Sequence, residues 1–344
     1  SPPRLTGSVK KRMAPSVLAV CGRVFPKVLR HGHLNLTTSM SKRAVSQVPV
    51  GFVGLGNMGS NMASNLLAKG HRLVVYDVYP EAMEAMAGQG AITAQSPAEV
   101  ADQCDRIITM LPSSPHVREV YTGKKGILST AKTGSLLIDS STIDPSVSQE
   151  MSKLAEAKGA LFIDAPVSGG VNAAKAGTLT FMVGGKESEV SAVQDLLICM
   201  GKNVIHCGGT GCGEAAKICN NMMLAISMIG TSETMLLGQK LGLDPKVLNQ
   251  ILNVSSGKTW PSEVYSPVPG VMPNVPSSNN YEGGFGAALM TKDLGLAQNA
   301  ATHTGSPTPL GSVAHQIYRL LLNHGLGQKD FSVIYKLIEG KVTK

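Results

Sequence analysis

Val48-Pro49-Val50-Gly51-Phe52-Val53-Gly54-Leu55-Gly56-Asn57-Met58-Gly59 is the stretch whose reading decides the fold. A short apolar run leads straight into Gly54-x-Gly56-x-x-Gly59, and Met62, Leu66 and Leu67 follow at helical spacing. The pattern predicts a buried strand, a tight turn and the first turns of a helix. Each glycine has a physical task. Gly54 permits the turn, Gly56 admits a pyrophosphate to the backbone, and Gly59 lets the helix close on the strand. Leu55, Asn57 and Met58 complete a turn whose free amides and helix dipole attract phosphate. In a chain with 38 glycines the motif alone is weak, so its context matters. Leu73-Val74-Val75-Tyr76-Asp77 reads as a second strand that ends in a carboxylate 18 residues after Gly59, placed for a ribose 2′-hydroxyl. A carboxylate there accepts from the hydroxyl and repels a 2′-phosphate, so the expected cofactor is NAD.

Outward from this unit, strands and helices alternate. Residues 80–89 predict a helix, and Ser96-Pro97-Ala98-Glu99 predicts a capping box with proline at the first helical position. Arg106 to Leu111 is a buried strand stopped by Pro112. Residues 136–139 and 161–164 repeat the pattern, with Asp144-Pro145 starting a helix between them. Residues 178–183 and 204–207 add strands around a helix over 187–200. The expected fold is therefore α/β, a doubly wound, Rossmann-type parallel sheet. From Gly208 onward the strand-like runs stop and Met- and Leu-rich helical patterns take over, with 213–240 readable as one helix. Asp244-Pro245 opens another helix, 260–284 reads as an ordered loop, and helices resume near Ala287 and Ser312. The expected organisation is a leader over 1–46, a nucleotide domain over 47–208 and an all-helical domain over 209–344. The helical domain suggests self-association into a dimer or tetramer.

The chain carries a net charge of +8, but nine of its 31 Lys and Arg residues lie in residues 1–46, which contain no acid. The other 22 face 23 acidic residues, so the body is near neutral and is not expected to bind nucleic acid. An acid-free, Arg- and Ser-containing leader reads as a mitochondrial transit peptide, with Met13 as a candidate start. Val17 to Cys21 is too short, and too soon followed by Arg23, to span a membrane. The six cysteines form no regular framework and no Cys-x-x-Cys pair, so free thiols and no metal are expected.

In doubly wound sheets, ligands bind at the carboxyl ends of the strands. Leu111-Pro112-Ser113-Ser114, Ser140-Ser141-Thr142 and Ser168-Gly169-Gly170 sit there. The last offers a hydroxyl and adjacent amides to a carboxylate, although a plain turn is equally compatible with it. Gly213, Lys217 and Asn221 share one helix face at i, i+4 and i+8. Lys217 among Ala215, Ala216 and Ile218 is either a buried functional lysine or one that snorkels to solvent.

Together these motifs resemble the β-hydroxyacid dehydrogenase family from Val48 almost to the C-terminus. The shared patterns are Gly51-x-x-Gly54-Leu55-Gly56-x-Met58-Gly59, Asp164-Ala165-Pro166-Val167-Ser168-Gly169-Gly170, Gly213-x-x-x-Lys217-x-x-Asn220-Asn221 and Lys292-Asp293-Leu294. The resemblance implies NAD-linked oxidation of 3-hydroxyisobutyrate to methylmalonate semialdehyde in valine breakdown, in the mitochondrial matrix. It further implies that Lys217 is catalytic and that Ser168, Gly169, Gly170 and Asn221 hold substrate. Trp260 and Phe285 would form apolar walls, and Leu111, Pro112, Thr142 and Lys292 would line the cofactor or the closed cleft. Asn61 stands where the family pattern has proline. His116 stands where a smaller polar residue is expected beside the nicotinamide, so a cofactor contact or an exposed position are both open to it. The related phosphogluconate enzymes place His before the Asn of the lysine helix, whereas this chain has Asn220. Two rival readings are an NADPH-dependent reductase of tartronate or succinic semialdehyde, against which Asp77 argues, and an inactive interaction module lacking the lysine, against which Lys217 argues.

Overall fold

The computed structural model describes residues 48–342, so the leader expected over 1–46 lies outside the described residues. The strands among these residues are β1 (Val50–Val53), β2 (Leu73–Tyr76), β3 (Ile92–Thr93), β4 (Arg106–Thr109), β5 (Leu136–Asp139), β6 (Leu161–Asp164), β7 (Val167–Ser168), β8 (Leu179–Gly184) and β9 (Gly201–Gly208). They form a single sheet in the order β3-β2-β1-β4-β5-β6-β8-β7, with β9 paired to β8. Every pairing from β3 through β6 is parallel. The central strands β1, β2, β4 and β5 are buried on both faces, which explains their near-continuous apolar sequences. Successive side chains alternate between two cores. Val50, Phe52, Val75, Ile108, Ile138 and Ile163 enter one, and Val53, Val74, Ile107, Leu137 and Phe162 enter the other.

The parallel part of the sheet, as expected, runs from β3 through β6, and the strands beyond it depart from that direction. β8 runs antiparallel to both β6 and β7, and only β9 returns parallel to β8. The chain leaves β6, forms the two-residue β7 and then the seven-residue helix Gly170–Ala176 before it re-enters the sheet. A parallel return needs a crossover that carries the chain back to the starting edge, and this connection spends its residues otherwise. The capping box at Ser96 is also only half as expected. Glu99 N donates to Ser96 Oγ at 3.2 Å, but the Glu99 carboxylate accepts from Gln95 N at 2.7 Å rather than from the cap residue itself.

After β9, the helix Cys212–Lys240 runs for 29 residues and dominates the C-terminal half. Helices Ala287–Thr304 and Pro309–Asn323 pack on it around Ala225, Met228, Met290, Leu294, Tyr318 and Leu321. The segment 260–284 is ordered as expected and contains the short helix Trp260–Val264, capped by Thr259. Tyr281 Oη donates to Pro267 O at 2.9 Å and Ser277 Oγ to Ser266 O at 2.6 Å, which replaces regular secondary structure as its backbone satisfaction. No helix among the described residues is long and apolar enough to cross a membrane.

Candidate active site

At the carboxyl end of β1 the glycine turn has the geometry its sequence requires. Gly54 adopts φ +97°, and a Cβ there would lie 2.3 Å from Met110 O. A Cβ on Gly59 would lie 1.9 Å from Gly54 O, so helix Gly59–Ala68 closes on the strand only because that atom is missing. Gly56 differs, since a Cβ there would meet nothing within 4 Å and its backbone faces open space. The N-cap residue Met58 makes no side-chain cap hydrogen bond; Ser60 N donates to Gly56 O at 3.0 Å, and the Gly59 amide ahead of it is left to a ligand. Asn57 O accepts from Asn61 Nδ2 at 2.8 Å, so the residue in the family's proline position fastens the same turn by hydrogen bonding. Asp77, one residue beyond β2, accepts from Leu55 N at 2.6 Å and from Tyr79 N at 2.9 Å. Each carboxylate oxygen keeps a free lone pair, so the turn fits a dinucleotide pyrophosphate with its ribose toward Asp77.

The next carboxyl ends are set by register. Thr109, Asp139 and Asp164 are neighbours across β4, β5 and β6. Leu111 N donates to Ser141 Oγ at 2.8 Å, which ties the β4 loop to the β5 loop. His116 is exposed on helix Ser114–Thr122, with Nδ1 2.7 Å from Ser113 Oγ.

Asp164 fastens the long helix from outside it. Its Oδ1 accepts from Gly211 N at 2.7 Å and its Oδ2 from Glu214 N at 3.0 Å, satisfying two of the helix's first amides. The helix approaches so closely that a Cβ on Gly213 would lie 2.4 Å from Met182 O and 2.8 Å from Asp164 Oδ2. Gly213→Ala is therefore expected to cost about 2 kcal/mol or more and to displace Lys217 one turn on. Urea midpoints and kcat/KM of the purified variant check this, and wild-type values for both would refute it.

Lys217 is buried, at 8% exposure, so it does not snorkel. Among the described residues its ammonium has no hydrogen-bond or ion-pair partner. Burial pulls it below the ordinary lysine value and Lys292 adds to that, while Asp293 and Glu214 oppose it. Beside it, Asn221 Nδ2 donates to Asp293 Oδ2 at 2.6 Å, and Asn221 Oδ1 accepts from Asn220 Nδ2 at 3.0 Å. Lys292 Nζ lies 3.1 Å from Asp293 Oδ1 and donates to Thr142 O at 2.7 Å and Pro112 O at 3.4 Å. Lys292 thus links the helical half to two of the loops expected to line the cofactor. Asp293 is the residue that motif reading passed over as a site residue. Its place beside Lys292 in the sequence gives no hint that it also meets Asn221.

A cavity of about 160 Å³ opens in front of Lys217. Ser168, Gly169, Gly170, Asn221, Trp260 and Phe285 line it, so all of the expected substrate residues meet at one place. Gly169 has φ +133° and Gly170 φ +69°, so both hold backbone conformations that favour glycine and add no side chain to the cavity wall. The opposite wall is aromatic. Trp260 stacks on Tyr265 at 4.7 Å, Tyr265 on Phe331 at 5.8 Å, and Phe285 meets Phe331 edge-on at 6.0 Å. Tyr265 and Phe331 were not legible as site residues, because ordinary core aromatics have the same sequence signature. Tyr265 is fixed by its hydroxyl, which donates to the buried Asp330 at 2.9 Å. A larger open cavity of about 310 Å³ between Gln298 and Ser312 contains no titratable side chain and so offers no chemistry.

An open glycine turn on a doubly wound sheet, facing a buried lysine on a helical second half, defines a nicotinamide-dependent oxidoreductase of small polar substrates. Comparison with known proteins sharpens that class. Residues 49–209 match the family described as the NAD binding domain of 6-phosphogluconate dehydrogenase. Residues 211–338 match that described as NAD-binding of NADP-dependent 3-hydroxyisobutyrate dehydrogenase. The chain is 57% identical over 321 residues to mitochondrial 3-hydroxyisobutyrate dehydrogenase of Homo sapiens, covering 93% of this chain and 96% of that protein. It is 50% identical over 314 residues to the Drosophila melanogaster enzyme of the same name, covering 91% and 96%. A Mycobacterium tuberculosis 3-hydroxyisobutyrate dehydrogenase solved with L-serine superposes with TM-score 0.81 at 41% identity, covering 85% of this chain and 99% of that one. The chain belongs to the 3-hydroxyisobutyrate dehydrogenase family, and it is an NAD-dependent oxidoreductase.

Proposed function

We propose that the protein oxidises 3-hydroxyisobutyrate to methylmalonate semialdehyde, with Lys217 taking the hydroxyl proton. The observation that carries this reading is the buried Lys217 on a cavity shared with Ser168, Gly169 and Gly170 and with an aromatic wall. Ser168 and the amides of Gly169 and Gly170 hold the substrate carboxylate. Trp260, Phe285, Tyr265 and Phe331 enclose the carbon skeleton, including its methyl branch. Lys217 in its neutral form accepts the hydroxyl proton, and Asn221, held by Asp293, orients the hydroxyl toward it. NAD bound at the glycine turn supplies the hydride acceptor. Leu111, Pro112 and Thr142 stand on the loops toward that side, with His116 on the helix that follows Pro112, and Lys292 holds Pro112 and Thr142 in place. A cavity of about 160 Å³ favours a small acid without a phosphate group. Steady-state kinetics with 3-hydroxyisobutyrate, tartronate, 4-hydroxybutyrate and 6-phosphogluconate, each with NAD and NADP, test the reading. Preference for 6-phosphogluconate or tartronate would overturn it.

The pH dependence follows from the burial of Lys217. Proton acceptance requires the neutral amine, so kcat/KM for oxidation rises with pH along a limb that lies below the ordinary lysine pKa. Asp293 opposes that lowering, so Asp293→Asn moves the limb to lower pH. A limb that stays in place or moves to higher pH would remove Lys217 from the proton transfer.

Two further parts of the proposal concern the protein's setting. Val247, Ile251 and Val254 are 50%, 47% and 81% exposed on one face of helix Pro245–Val254, near the exposed Leu237 and Leu241. Such a stripe supports self-association into a dimer or tetramer, which sedimentation of wild type and Ile251→Glu distinguishes from a monomer. The acid-free leader, and the mitochondrial naming of the relatives, support residence in the mitochondrial matrix.

A further inference from the structure

Beneath the lysine, three carboxylates are buried together at the junction of the sheet and the long helix. Asp139, Asp164 and Glu214 each have 0% exposure. Three charges in one dry space cannot all persist, and their hydrogen bonds indicate which one yields. Asp164 accepts from two backbone amides, one at each oxygen. Asp139 Oδ1 accepts from Thr109 Oγ1 at 2.7 Å, Ser141 Oγ at 2.6 Å and Ser141 N at 3.2 Å. Glu214 accepts from a single donor, Ile143 N, at 3.1 Å to Oε2. Glu214 Oε1 and Asp139 Oδ2 are buried with no hydrogen-bond partner among the described residues. With one donor for its two oxygens, Glu214 is the least stabilised of the three as an anion.

We propose that Glu214 is a positioning residue for Lys217, present as a neutral carboxylic acid that locks the first turn of the lysine helix to the β5 loop. The lock is the Glu214–Ile143 hydrogen bond, which joins the helix carrying Lys217 to the loop whose Thr142 carbonyl receives Lys292. Burial and the neighbouring Asp139 and Asp164 push the Glu214 carboxyl well above its usual value, against the weaker pull of Ile143 N–H and Lys292. Asp139 is pushed up to about 6, first by burial. Near neutral pH the cluster therefore keeps a proton on Glu214, the carboxyl with fewest donors. Neutrality also matters to the lysine one turn on, because an ionised Glu214 would hold the Lys217 ammonium and delay its loss of a proton.

The proposal rests on Lys217 being the proton acceptor, and its test separates the two. Glu214→Ala is expected to lower kcat about tenfold or more, because the lysine helix loses its tether. Glu214→Gln, which keeps the shape and the neutral state, restores kcat and leaves the rising limb of kcat/KM in place. Infrared difference spectra of the full chain should contain the C=O stretch of a protonated carboxylic acid near neutral pH, and Glu214→Gln should remove it. A Gln variant as slow as Ala, a limb displaced to lower pH in Gln, or the absence of that band in wild type would each overturn the proposal. The infrared band does not depend on Lys217, so failure of the lysine mechanism would leave it untouched.

Discussion

Lys217→Met is expected to lower kcat by about 10²-fold or more while leaving NAD affinity near that of the wild type. Oxidation of an alcohol by hydride transfer requires the hydroxyl proton to leave as the hydride goes. Asn221, held by Asp293 and Asn220, is a carboxamide that does not titrate, and the Asp293 carboxylate is claimed by Asn221 and Lys292. Lys217 is therefore the buried titratable group at the cavity left free to take the proton. Methionine matches the length and apolar stem of lysine, so the buried helix should keep its packing and the variant should fold. The glycine turn at the end of β1 lies on another element, so cofactor binding is a separate readout on the same protein. Turnover within a few-fold of wild type, in a folded variant that binds NAD, would make Lys217 structural.

The second large effect concerns Asp77. The wild type is expected to use NAD at least 10²-fold more efficiently than NADP, because like charges about 4 Å apart at an effective dielectric near 20 repel by roughly 4 kcal/mol. Partial exposure of Asp77 trims that figure through solvent screening. Asp77 also receives Leu55 N, so the choice of variant matters. Asparagine keeps an acceptor for one backbone amide and removes the charge. Asp77→Asn should therefore raise kcat/KM with NADP about 10²-fold while NAD use falls modestly. Alanine would also loosen the glycine turn and blur the two effects. Equal use of both cofactors by the wild type would place the selectivity elsewhere.

The rim of the site was legible in the sequence to the extent that it is local. Gly54, Gly56, Gly59 and Asp77 follow from how few backbones fit a strand–turn–helix unit around a pyrophosphate. Asp144-Pro145 and Asp244-Pro245 start helices as read, with Asp144 accepting from Ser146 N and Asp244 from Lys246 N and Val247 N. Gly213, Lys217 and Asn221 share a buried face because helical periodicity puts them there. The aromatic partners Tyr265 and Phe331 were invisible, because stacking across 66 positions leaves no periodic trace.

What the sequence by itself determined is the set of local units: the glycine turn, the two cores alternating along each strand, the long lysine helix and the acid-free leader composition. These depend on dihedral sterics, period and composition, which act over a few residues at a time. What only the tertiary structure decided is which units meet. It reversed β8 against β6, set Asp164 as a cap for a helix 47 residues away, and joined Asp293 to Asn221 across 72 positions. It also buried Asp139, Asp164 and Glu214 in one place. The physical reason is that desolvation and hydrogen-bond satisfaction belong to the assembled interior. A carboxylate's charge, a lysine's proton affinity and an asparagine's orientation are fixed only when distant parts of the chain have excluded water around them.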